Sequence, residues 1–216
     1  MNAIKGFRSS LIRRFSVAAL TLSISTPAFA HHGMGGQTPT TILQGLLSGL
    51  AHPVIGPDHL LFLIVSGVFV WMLDGAARYR AVAFLVAGQL LGTSIHLSAI
   101  GLPIVEAMIA VSVVVGGGLL LARRRPSAGQ LAMLLMGAGT FHGYAFAESI
   151  VGAEPTPLAA YLAGLALIQA LVLVGISAAL EAVERRSGAP LVARGQRLAG
   201  GIAVAGGTLL LALALS

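Results

Sequence analysis

The sequence predicts an all-α fold, a polytopic membrane helix bundle with about six transmembrane helices behind a cleaved signal peptide. Three observations predict it. Of 216 residues, 56% are hydrophobic and 9% charged, where a soluble globule carries about 25% charged residues. Six apolar stretches recur, each near the roughly 20 residues a span requires. Basic residues fall in every second connection between them, the pattern that orients helices in a bilayer. The length suits one compact domain. With no cysteine, disulfides, zinc–thiolate sites and iron–sulfur clusters are excluded.

The elements follow in order. Residues 1–30 read as a secretory signal: Lys5, Arg8, Arg13 and Arg14 are basic, 15–24 is apolar, and Ala28-Phe29-Ala30 is a cleavage site. An uncleaved first helix is the alternative. Residues 31–40 are a His/Gly-rich arm, expected to be flexible, on the periplasmic side of the bacterial inner membrane. There His31 and His32 could collect metal through the new α-amine and two imidazoles. Residues 41–216 form the transmembrane domain. Within it, 41–51 is a short amphipathic or re-entrant helix, and Pro53 and Pro57 interrupt the backbone. The spans are 57–73, 81–100, 103–122, 131–147, 158–183 and 198–215. Gly88-x-x-x-Gly92, Gly116-Gly117-Gly118 and Gly137-x-Gly139 permit close helix approach.

With the mature N-terminus outside, the first, third and fifth connections lie inside. The first holds Arg78 and Arg80; the third Arg123, Arg124 and Arg125; the fifth Arg185, Arg186, Arg194 and Arg197. With the four in the signal, these are all 13 basic residues. The +6 charge is thus a topology signal, and no nucleic-acid partner is expected. The same topology puts His52, Asp58, His59, His96, His142 and Glu148 in the outer half of the membrane, with Glu106 opening the third span.

An ionisable group costs roughly 3 kcal/mol near a bilayer centre even on lenient scales, so such a cluster points to function. His52-Pro53-Val54-Ile55-Gly56-Pro57-Asp58-His59 joins two imidazoles and a carboxylate, the ligand set of a borderline divalent metal. The bland reading is that Asp58 caps a helix and the histidines sit at the interface. In Phe141-His142-Gly143-Tyr144-Ala145-Phe146-Ala147-Glu148, His142 and Glu148 could border one cavity if Gly143 allows a bend. His96 is either a ligand or a packing residue. Glu106 is a helix-capping acid or a pathway carboxylate. Gln89 is expected to hydrogen-bond between helices, and Trp71 to anchor at the inner interface.

The two segments resemble the signatures of the HupE/UreJ family of membrane proteins. One is His-Pro-x-x-Gly-x-Asp-His, met by His52, Pro53, Gly56, Asp58 and His59. The other is Phe-His-Gly-x-Ala-x-x-x-Glu, met by Phe141, His142, Gly143, Ala145 and Glu148. The resemblance implies a secondary nickel or cobalt permease whose metal is cargo, with no prosthetic group. Phe146 stands where many members carry a second histidine, which removes a possible ligand. No phosphate-binding loop is present, so no nucleotide hydrolysis is expected.

Three other classes remain open. A haem-binding electron carrier would use the histidines axially, although carboxylates beside His59 and near His142 count against it. An intramembrane zinc enzyme lacks a His-Glu-x-x-His segment, and no enzymatic activity is expected. An accessory or sensor protein for metalloenzyme assembly would bind the metal without moving it. Imidazole and carboxylate suit nickel and cobalt alike.

Overall fold

The computed structural model describes residues 37–216. The signal peptide, His31 and His32 lie outside the described residues. Among those described there are seven α-helices, one 3-10 turn and no strand. In chain order they are α1 Ile42–Ile55, α2 Pro57–Trp71, α3 Gly75–Leu97, α4 Val105–Leu121, α5 Ala128–Phe146, the 3-10 turn Ala147–Ile150, α6 Pro155–Ser187 and α7 Ala189–Ala214.

The chain is a helical membrane protein. Among the described residues three helices, α3, α6 and α7, are long and apolar enough to cross a bilayer. The α1–α2 pair adds a fourth crossing if counted as one broken span. The other apolar stretches also form helices, but α4 has only 17 residues, about 25 Å at 1.5 Å per residue, against a hydrocarbon core of about 30 Å.

Thr41 starts α1, its hydroxyl accepting the Gln44 backbone N–H, while Thr40 donates its N–H to the Gln44 side chain. The helix runs beyond the expected 41–51. It takes His52 and Pro53 into its last turn and stops at Gly56, where the chain turns by 78° into α2. Pro57 then occupies the first turn of α2, where its missing N–H costs nothing. The break is thus one residue pair, Gly56–Pro57. Pro53 is tolerated because it falls near the helix end.

Glycine sets the packing. A Cβ on Gly88 would lie 2.2 Å from Met136 O, and one on Gly92 1.8 Å from Thr140 O, so α3 and α5 run side by side and parallel with backbones touching. Gly45 and Gly49 of α1 meet the carbonyls of Pro157 and Tyr161 on α6 in the same way. Gly117 of α4 meets Gly200 of α7, and Gly207 meets Val114, an antiparallel pair. The contacts expected of Gly118 and Gly137 are not made; each faces open space.

The fifth connection proves to be a single residue. Gly188, at φ +81°, joins α6 to α7. Arg185 and Arg186 end one helix, and Arg194 and Arg197 lie within the next. Arg78 ties this end together. Its guanidinium pairs with Glu181 of α6 at 2.5 Å and donates to the carbonyls of Leu73 and Trp71 at the end of α2.

Candidate metal site

The break at Gly56 brings His52, from the last turn of α1, beside His59, from the first turn of α2. Their ring centroids are 6.0 Å apart. His142, near the end of α5, reaches the same place. All three are buried, His52 at 2%, His59 at 3% and His142 at 0% exposure. The cluster lies at the opposite end of the bundle from the Arg78–Glu181 pair.

Two hydrogen-bonded groups make up the cluster. In the first, Ser112 has one hydroxyl hydrogen, and Ile109 O takes it at 2.7 Å. Ser112 Oγ therefore accepts from His142 Nε2–H at 3.1 Å. Neutral His142 then carries its lone pair on Nδ1, which accepts from His59 Nδ1–H at 2.8 Å. His59 Nε2 lies 3.9 Å from Asp58 Oδ2. Asp58 Oδ1 is buried and has no hydrogen-bond partner among the described residues.

The second group centres on His52. Tyr161 and Ser149 both donate to Phe146 O, at 2.8 and 3.1 Å. Their oxygens lie 3.0 and 3.1 Å from His52 Nδ1. With the hydroxyl protons directed to the carbonyl, His52 Nδ1–H donates and Nε2 becomes the acceptor. An acceptor nitrogen held by a hydrogen bond on the other nitrogen is how proteins ready a histidine for metal. Phe146 is 1% exposed and packs its ring against both His59 (4.3 Å) and His52 (5.1 Å). Phe62 stacks on His142 at 4.0 Å.

Of the residues singled out from sequence, His52, Asp58, His59 and His142 come together. Glu148 is exposed on the 3-10 turn and His96 packs on Tyr144 at 4.3 Å; neither joins the hydrogen bonds of the cluster. Gly143 provides close contact rather than a bend: a Cβ there would meet Gln89 O at 2.1 Å. Glu106 is exposed in the first turn of α4. Gln89 hydrogen-bonds between helices as expected, donating to Gln169. Among the described residues no three His, Asp or Glu side chains stand ready to hold one ion. Ser112, Ser149 and Tyr161, which fix the tautomers, carry no sequence signal beyond their helical positions.

A family model described as HupE / UreJ protein matches residues 18–210. Protein HupE of Rhizobium leguminosarum bv. viciae is 30% identical over 133 residues, which cover 61% of this chain and 66% of that protein. The chain thus spans a little under two thirds of that relative's length. No solved structure matches.

Proposed function

From a chain that belongs to the HupE/UreJ family, we propose a secondary carrier that moves a divalent transition-metal ion, nickel or cobalt, inward across a bacterial inner membrane. The observation that carries the reading is the burial of His52, His59 and His142 together at one end of the bundle, with the Asp58 carboxylate 3.9 Å from His59 Nε2. The gap between those two atoms would have to narrow about an ion whose bonds to nitrogen and oxygen are about 2.0–2.2 Å long. Proton and metal compete for it. With a proton, His59 becomes an imidazolium paired with Asp58; with metal, the proton leaves and both atoms ligate. His52 stands next in line, and water completes the shell.

Two protein ligands hold an ion loosely, which suits a carrier. A site that conducts must bind well enough to load and weakly enough to release. The membrane potential supplies about 4–5 kcal/mol per 100 mV for a double charge, so nucleotide hydrolysis is not needed. Six crossings with the histidine end outside fit the basic residues. The mature N-terminus is then periplasmic, and His31 and His32 are an arm that collects ions for the mouth.

The test is uptake of radioactive nickel and cobalt by cells with and without the protein. Asp58→Ala and His59→Ala should each abolish uptake while the protein remains in the membrane. Normal uptake by both variants would sink the reading.

A further inference from the structure

A second candidate site extends from behind the histidines toward the other end of the bundle. Between α2, α4 and α5 runs a cavity of about 300 Å³, lined almost wholly by carbon from residues such as Phe62, Val65, Phe69, Val115 and Leu119. Toward its outer end it passes Ser112, the residue bonded to His142 Nε2, and reaches Met108 and Phe141. At the inner end it shares Leu119, Met133 and Leu134 with a wider recess whose mouth carries Arg124, Arg125 and Gln130. Groove and recess therefore adjoin at the three shared side chains, the first apolar and the second cationic.

Among the described residues no carboxylate pairs with the arginines of that recess. Arg78 and Arg185 pair with Glu181, whereas Arg124 and Arg125 form no ion pair among the described residues. From residue 107 to 147 the sequence contains no Asp or Glu. The turn that presents them is fixed: Arg123 sits at φ +54° and the Arg124 N–H bonds Leu119 O at 2.9 Å. Basic pockets between transmembrane helices on the cytoplasmic side suit anionic headgroups, and the carbon-lined groove above suits an acyl chain.

We propose that this groove binds an anionic phospholipid of the cytoplasmic leaflet. Its phosphate rests on Arg124 and Arg125, and one acyl chain lies between α4 and α5 as far as Ser112. This rests on the arginine end facing the cytoplasm, but not on metal transport. The chain end fills the space behind Ser112 and keeps water from the back of the His142–His59 pair.

Native mass spectrometry of the full chain in detergent, titrated with phosphatidylglycerol or phosphatidylcholine of matched chains, tests it. The unaltered protein should retain phosphatidylglycerol preferentially. Arg124→Gln/Arg125→Gln should weaken that retention roughly thirtyfold, to the level of phosphatidylcholine. Gly137 lines the groove, and a Cβ there meets nothing within 4 Å, so Gly137→Leu should fill the groove and lower retention of both lipids without unfolding the protein. Equal retention of the two lipids by the unaltered protein overturns the proposal. So does undiminished retention by Gly137→Leu, which decides the matter alone should the arginine variant fail to fold. A protein dimer that Gly137→Leu dissociates would also overturn it, by showing the groove to be a contact between copies.

Discussion

Asp58 and His59 are adjacent in sequence, yet what they can bind is set by residues far from them. Ser112 directs its hydrogen to Ile109 O, which keeps the His142 proton on Nε2 and the His59 proton on Nδ1. Ser112→Ala removes that acceptor. His142 can then carry its proton on Nδ1 and donate to His59, which moves the His59 proton to Nε2 and occupies the ligand atom. Nickel affinity measured by equilibrium dialysis should fall about tenfold, within the range expected for an outer-shell partner, while the protein stays folded. Tyr161→Phe acts on the other histidine. It removes one hydroxyl beside His52 Nδ1 and one donor to Phe146 O, and should cost about 10–100-fold in affinity. The ligand candidates were legible in the sequence because ionisable groups are expensive in apolar stretches. Ser112, Ser149 and Tyr161 were not, because hydroxyls are common in membrane helices and carry no such cost.

At the scale of the element, small residues decide which helices touch. Gly92→Leu would drive its Cβ to 1.8 Å from Thr140 O, and backbone cannot yield as a side chain can. The α3–α5 contact should open, at a cost of about 1–3 kcal/mol or more, read as a lower unfolding midpoint in detergent. Gly118→Ala, facing open space, should leave the midpoint unchanged. Across α3 and α6, Gln89 donates to Gln169, and both are buried. Gln89→Leu strands the Gln169 oxygen and should cost about 1–3 kcal/mol, whereas Gln89→Leu/Gln169→Leu should cost less than the single change. A double-mutant cycle on unfolding midpoints checks this. Gly88 and Gly92 announce their role by spacing. Gly45, Gly49 and Gly164 make equally close contacts that were missed, because α1 is too short to read as a packed membrane helix. The break at Gly56 rather than Pro53 was also illegible: a proline in the last helical turn and one that ends a helix look alike in sequence.

For the whole molecule, contacts at the two ends fix α2 and α6 side by side and running the same way. His59 meets His142 and His52 meets Tyr161 at one end. Arg78 meets Glu181 at the other, where Arg185 also reaches that carboxylate. The 33 residues of α6 span about 50 Å, more than the roughly 30 Å of hydrocarbon, so the helix carries its charged last turns clear of the core. The helical class and the order of the apolar stretches were legible because hydrocarbon imposes long apolar runs. The fifth connection, expected between residues 183 and 198, is helical on both sides of Gly188, because its arginines mark the membrane surface rather than the end of a helix. Orientation remains the consequence most open to measurement. The chain contains no cysteine, so each introduced thiol reports alone. Ile100 and Glu154 are exposed at the histidine end, and Ser187 is exposed at the arginine end. Basic residues are retained on the cytoplasmic side. Ile100→Cys and Glu154→Cys should therefore react with an impermeant thiol reagent on intact cells, and Ser187→Cys only after the membrane is opened. The reverse pattern would put the histidine cluster inside, turn the carrier toward export and move the Arg124–Arg125 recess to the outer leaflet.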